Sequence, residues 1–157
     1  MKQPLSPQEA QSKVEAWCAR SEHCLSEAQE KLCQWGVPPD CIRPVLRHLL
    51  TEGFIDETRY ARAFAHDKYQ FNDWGKQRII QALHTKRLPE TCIGQAIDGI
   101  DLNDYLQRLR SLLQRKRDTL PSAPAYELRG RLIRFALGKG YDMDDIMHCL
   151  GTMEDPE

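Results

Sequence analysis

Residues that could do chemistry are few and scattered along this chain. There are six cysteines (Cys18, Cys24, Cys33, Cys41, Cys92, Cys149) and five histidines (His23, His48, His66, His84, His148). No two cysteines stand as Cys-x-x-Cys and no histidine belongs to a His-Glu-x-x-His pair, the spacings that bring zinc ligands or redox partners together. Cys18, Cys24, Cys33 and Cys41 with His23 form the one group dense enough for a metal cluster. Core packing is the favoured reading instead, because Cys41 and Cys92 occupy equivalent positions of a repeat described below and a free cysteine behaves as a small buried hydrophobe. Neighbouring carboxylates at Asp56-Glu57 and within Asp142-Met143-Asp144-Asp145 could serve acid–base work or hold a cation. Acidic residues in the first turn of a helix also meet the positive end of its dipole, and that explains both groups. No Gly-x-Ser-x-Gly, phosphate loop or Gly-x-Gly-x-x-Gly is present, so no reaction, cofactor or small-molecule substrate is assigned and the chain reads as a non-enzyme.

The cations carry more information. Arg59, Arg62 and Lys68 alternate with Tyr60, Phe64 and Tyr69, and Lys76 and Arg78 follow. Then come Arg108, Arg110, Arg115, Lys116 and Arg117, and later Arg129, Arg131, Arg134 and Lys139. Residues 58–140 hold sixteen Lys/Arg against eight Asp/Glu, whereas 1–57 hold six against nine and 141–157 none against six. The overall charge of -1 therefore hides a basic middle between two acidic ends. Charge segregated in this way makes a directional field that can orient a charged partner, although many of these side chains simply solvate outward helix faces. Phosphates or an acidic protein groove would both suit them. An isoelectric point near 6.5 and an acidic end argue against a sequence-specific DNA reader, which makes protein the better primary partner.

The elements that position these residues come from a pattern repeated three times. Leu32–Ile42, Leu83–Ile93 and Ala136–Ile146 superpose at offsets of 51 and 53 residues, with apolar and turn positions coinciding. Each copy closes with a helix whose apolar residues recur at helical spacing: Ile42, Val45, Leu46, Leu49; Ile93, Ala96, Ile97, Ile100; Ile146, Cys149, Leu150. A second helix precedes it, through Ala28 and Leu32, Ile79 to Leu83, and Leu132 to Leu137. Leading helices are expected at Val14–Arg20, Thr58–Gln70 and Leu102–Lys116. Gly36 and Gly140 suit helix C-termini and Pro38, Pro39 and Pro89 suit the starts that follow, while Arg87 stands where the other copies have glycine. Asp56 and Asp73 are candidate N-caps, and Ser26 with Gln29 reads as a capping box.

The fold class is therefore all-α: three tandem three-helix repeats forming an elongated, curved molecule. The expected divisions are residues 9–55, 56–100 and 101–150, a loop at 119–125 inside the third unit, and an acidic tail at 151–157. No stretch is apolar enough for a membrane span, mean hydropathy is -0.61, and the first nine residues lack an apolar leader, so a cytoplasmic protein with reduced thiols is expected.

The run Leu49-Leu50-Thr51-Glu52-Gly53-Phe54-Ile55-Asp56-Glu57-Thr58-Arg59-Tyr60-Ala61-Arg62-Ala63-Phe64, followed by Trp74-Gly75-Lys76-Gln77-Arg78-Ile79-Ile80-Gln81-Ala82-Leu83, resembles the signature of the RecX family of bacterial recombination regulators. Ser26–Leu32 with Gly36 resembles that family's first-unit motif. The resemblance implies repeated three-helix units, no cofactor, and binding to RecA recombinase along the groove of its filament on single-stranded DNA, with filament growth, ATPase or coprotease activity limited as part of DNA repair, recombination and the SOS response. With that partner, Arg59, Arg62, Lys76, Arg78, Arg115, Lys116, Arg129 and Arg131 are the expected contacting set, single-stranded DNA is a second candidate ligand, and Tyr60 and Phe64 are expected in the core. The alternative is a helical protein that binds DNA directly and without sequence preference.

Overall fold

The repeat rests on one turn, made three times. In a computed structural model that describes residues 5–153, Val37 N donates to Leu32 O (3.0 Å), Leu88 N to Leu83 O (3.3 Å) and Tyr141 N to Ala136 O (3.1 Å). Each bond reaches back across a helix end and satisfies a carbonyl that the helix leaves without a partner. The residue before each donor takes the left-handed conformation this closure needs, with φ of 78° at Gly36, 61° at Arg87 and 100° at Gly140. Arg87 thus keeps the glycine geometry without being glycine. Val37, Leu88 and Tyr141 are then buried and pin the next helix against its neighbours.

Nine helices result among the described residues: α1 (Pro7–Arg20), α2 (Leu25–Gln34), α3 (Pro39–Thr51), α4 (Glu57–Phe71), α5 (Lys76–Thr85), α6 (Glu90–Asp98), α7 (Leu102–Thr119), α8 (Ala125–Gly138) and α9 (Met143–Met153). The well-packed helix pairs lie within α1–α3, α4–α6 or α7–α9, so the chain is three triangular bundles in series. Its accessible surface of 9830 Å² exceeds the roughly 8,100 Å² of a compact monomer of this mass, as an elongated array requires. No helix of the described residues is long and apolar enough to cross a membrane.

The helix starts follow side-chain chemistry in most places. Asp56 accepts from Arg59 N (3.0 Å), Asp101 from Asp104 N (2.9 Å) and Ser6 from Glu9 N (3.2 Å). Two expected caps are corrected. The N-cap of α2 is Cys24, whose N–H donates to Glu27 Oε1 (3.2 Å), and Ser26 lies inside the helix. The N-cap of α5 is Gly75, because the neighbouring unit supplies the acceptors there; Asp73 instead adopts a φ of 57° two residues earlier. α1 starts seven residues before the expected Val14, and α9 continues through Gly151 to Met153. The remainder of the expected tail, 154–157, lies outside the described residues.

The hydrophobic interior divides unevenly. Ala10, Val14, Ala28, Leu32, Ile42, Val45 and Leu49 build the core of the first unit alone. Units two and three share a second core that runs from Tyr60, Ile79 and Leu83 through Tyr105 and Leu109 to Ile146 and Leu150.

Candidate basic surface at the second joint

Both joints use the same parts, and two residue positions decide how tightly they close. The loop before the second helix of one unit meets the first helix and the second turn of the next. At the second joint the facing positions are both glycine. Gly75 N donates to Lys139 O (2.7 Å) and Gln77 N to Gly140 O (3.0 Å), while Lys76 N donates to the Tyr105 hydroxyl (2.9 Å). The first-turn N–H groups of α5 are thereby satisfied by the next unit. A Cβ at Gly75 would fall closer than 3.0 Å to the backbone of Gly140 and Tyr141, so this approach is open to glycine alone.

At the first joint the equivalent residues are Cys24 and Arg87. Side chains replace backbone there. Arg59 Nε meets both carboxylate oxygens of Glu22 (2.7 Å), Lys86 Nζ meets Glu27 Oε2 (3.2 Å), and Leu25 N donates to Glu57 Oε2 (3.4 Å). A cleft of about 420 Å³ lined by Glu27, Glu30, Cys33, Lys86 and Arg87 remains open beside it. Burial works against the charged form of Glu27, but the Cys24 N–H and the Lys86 ammonium outweigh it and hold this carboxyl below its ordinary range.

The close second joint gathers cations from three helices and the turn after α8 around the loop of residues 72–75. Arg78 of α5 stacks its guanidinium 4.3 Å from the Trp74 ring centroid, and Lys68 of α4 stands 5.0 Å from the same ring. Arg115 of α7 reaches Asp73 (3.4 Å), and Lys139, just past α8, reaches the Asn72 carbonyl (3.5 Å). Lys116 lies 4.9 Å from the ring of Phe135, one turn before Lys139. Phe64 meets Trp74 edge-on at 6.2 Å, which holds the indole in place. Asn72, Asp73 and Trp74 thus hold four cations, and among the described residues Asp73 supplies the one carboxylate that pairs with any of them, an arrangement suited to a polyanionic or acidic partner surface.

Polar contacts brace the adjacent floor. The Tyr69 hydroxyl donates to Asp104, and Arg108 donates to Asp104 (3.0 Å) and Gln70 (3.0 Å). The Tyr69 bond, then Arg108, hold the Asp104 carboxyl below its ordinary range, while burial pushes the Tyr69, Tyr105 and Tyr141 hydroxyls well above theirs. These tyrosines stay neutral and structural at any ordinary pH.

The eight expected contact residues are spread over α4, α5, α7 and α8 and do not converge on one surface. Arg78, Arg115 and Lys116 lie at the second joint. Arg59 is engaged with Glu22 at the first. Arg62 is exposed and lines a cleft of about 560 Å³ with His66, Gln70 and Asp104. Lys76 lies 4.6 Å from the Tyr105 ring. Arg131 pairs with Glu127 (3.0 Å), and Arg129 Nη2 lies 3.8 Å from Met147 Sδ. Tyr60 is buried and Phe64 packs against the core. Lys68 and Lys139 were missed as contact residues, although a tryptophan with cations six before and four after it was a usable signal. The cysteines are free thiols divided between the two cores and the surface, and no metal-binding group of His, Cys, Asp or Glu occurs among the described residues.

Comparison with known proteins gives one answer. Models of the second and third three-helix domains of RecX match residues 56–97 and 103–150. The chain is 34% identical over 132 residues to the regulatory protein RecX of Pseudomonas savastanoi pv. phaseolicola, covering 84% of this chain and 83% of that protein. It is 28% identical over 139 residues to the regulatory protein RecX of Halorhodospira halophila, covering 88% and 84%. The crystal structure of RecX from Lactobacillus salivarius superposes with a TM-score of 0.86 at 14% identity, over 94% of this chain and 96% of that one, a likeness of fold.

Proposed function

The chain belongs to the RecX family of regulatory proteins, and on that premise we propose that it binds RecA recombinase and its filament on single-stranded DNA and modulates, mostly by inhibition, the activity of that filament. It acts in the cytoplasm as a binding protein rather than an enzyme. The observation that carries this reading is the cation cluster at the second joint. Lys68, Arg78, Arg115 and Lys139 are brought from three helices and one turn onto one loop whose backbone is bonded directly into the next unit. A fixed array of weak contacts on an elongated body suits a repeating partner such as a filament, because each further contact adds without a new cost in lost freedom of motion.

Co-sedimentation with RecA assembled on single-stranded DNA in the presence of nucleotide tests the proposal. Recovery of the chain with the filament, and slowed strand exchange, support it; absence of the chain from the pellet at concentrations of tens of micromolar refutes it.

A second reading, direct binding to DNA, draws on a specific feature. Lys68 and Arg78 lie on Trp74 with no carboxylate partner among the described residues, which leaves both charges available to phosphates. Titration of single-stranded DNA without RecA separates the two, since a direct phosphate binder loses affinity steeply as salt rises, with a slope of about 0.7 per phosphate contact.

A further inference from the structure

In the first and third units one side chain of the first helix bonds to one side chain of the third helix, and in the second unit the equivalent bond cannot form. Aligning Val14 of α1, Ala65 of α4 and Leu109 of α7, all buried, makes Glu15, His66 and Arg110 equivalent. Aligning Val45 of α3, Ala96 of α6 and Cys149 of α9 in the same way makes His48, Gly99 and Thr152 equivalent. His48 Nε2 meets Glu15 Oε1 at 2.9 Å in the first unit, and Arg110 Nε donates to Thr152 Oγ1 at 3.0 Å in the third. Two different pairs thus bridge the same two positions. Gly99 has no side chain with which to answer His66, and a cleft of about 560 Å³ opens there between α4 and α6.

The cleft is lined by donors that the fold does not use. Arg62 stands one turn before His66 on the same side of α4; both are exposed, and neither has a hydrogen-bond or ion-pair partner among the described residues. Two carboxylates also line it, and both are engaged. Asp104 accepts from the Tyr69 hydroxyl and from Arg108, and Asp101 accepts from Asp104 N (2.9 Å). Asp67 and Asp98, the nearest others in sequence, do not line it. The charges of Arg62 and Arg108 balance those of Asp101 and Asp104, so no net field draws a polyanion here. What the cleft offers is a set of hydrogen bonds to a single acceptor, and the first unit shows the acceptor that a histidine takes at this bridge, a carboxylate. A carboxylate also matches the forked donors of Arg62. We infer that the cleft between α4 and α6 receives one acidic side chain of the recombinase partner, an aspartate or glutamate that pairs with Arg62 and His66 in the room left by Gly99. This inference rests on the proposed function. It adds to the cation cluster at the joint a contact with one residue, which fixes the register of the chain on the filament.

Two full-length double variants test it. His66→Glu with Gly99→His gives the second unit the pair found in the first and fills the cleft from within. Gly99 has a φ of -75° and a Cβ there would meet nothing closer than 3.5 Å, so the backbone accepts a side chain. Arg62→Ala with His66→Ala removes the donors at two exposed positions and leaves the cleft open. Binding to RecA filaments on single-stranded DNA is measured for both variants and the wild type, beside thermal melting and binding to single-stranded DNA without RecA. Each variant should melt no lower than wild type and lose about tenfold or more in affinity for the filament, as when one side of a close charge pair is removed. Wild-type filament affinity in either variant overturns this inference and leaves the proposed function standing. Binding to DNA alone that falls in step with filament binding assigns the cleft to a phosphate and also overturns it. No filament binding by the wild type overturns the proposed function, and this inference with it.

Discussion

Replacing Gly75 by alanine adds one methyl group at the point where two units touch backbone to backbone. That methyl would sit closer than 3.0 Å to Gly140 C and O and to Tyr141 N. Backbone atoms cannot rotate away, so the units must separate by roughly an ångström. Forcing a methyl into packed surroundings costs about 1–3 kcal/mol. The separation also strains the bonds from Gly75 N, Lys76 N and Gln77 N to the third unit, each with a net worth of about 1 kcal/mol. A total near 3 kcal/mol follows, which corresponds to a fall in Tm of about 6–12 °C for a chain of this size. Gly94→Ala is the control. It lies inside α6 with nothing within 4 Å of the added methyl, so helix propensity should make it neutral to stabilising, by up to about 1 kcal/mol. Thermal melts followed by circular dichroism, with urea titrations for the free energies, measure both. A Gly75→Ala variant melting within about 2 °C of wild type would refute the reasoning that the second joint is a backbone-to-backbone contact.

Arg87→Gly relieves a side chain held at φ 61° and should raise stability by about 0.5–1 kcal/mol in the same titrations, whereas an exposed arginine without strain would give no change or a loss. Tyr105→Phe removes the acceptor for Lys76 N in a fully buried setting and should cost about 1–2 kcal/mol; a neutral result would mean that the Lys76 N–H finds another acceptor. Glu27 has its pKa lowered in the fold, so its contribution to stability is complete above the ordinary carboxylate range and is lost as pH falls through the lowered value. Stability measured from pH 6 down to pH 3 should therefore fall less in Glu27→Gln than in wild type, and parallel curves would contradict the assignment. Raising salt should increase amide exchange at Leu25, beside the ion pairs of the first joint, more than at Gly75, where backbone bonds close the second.

The repeat was legible because helix ends are written locally. Gly36, Pro38 and the stripe Ile42, Val45, Leu49 state where one helix stops and which side of the next is buried, and the same statements recur twice downstream. Arg87 obscured one copy, since its conformation is imposed by the bond from Leu88 N to Leu83 O and by burial of Leu88 rather than by its own preference. The caps at α2 and α5 were misjudged for a related reason. Their first-turn N–H groups are served across a joint, or by Glu27 reaching back to Cys24, and the spacing of Asp73 or Ser26 contains neither fact. Cation clusters were visible as runs along helices, but convergence is a property of the joint. Arg115 and Lys139 meet the loop of residues 72–75 only because Gly75 and Gly140 let two units approach closely, while Arg59, in an equally basic run, is captured by Glu22.

Inhibition of RecA-catalysed strand exchange by wild type and by a variant carrying Lys68→Glu, Arg78→Glu, Arg115→Glu and Lys139→Glu, each confirmed folded by its melting curve, addresses the cation cluster most directly. The wild type should slow exchange in a dose-dependent manner, and the variant should require at least tenfold more protein for the same effect. Equal potency of the two proteins would contradict the assignment of this surface to the partner.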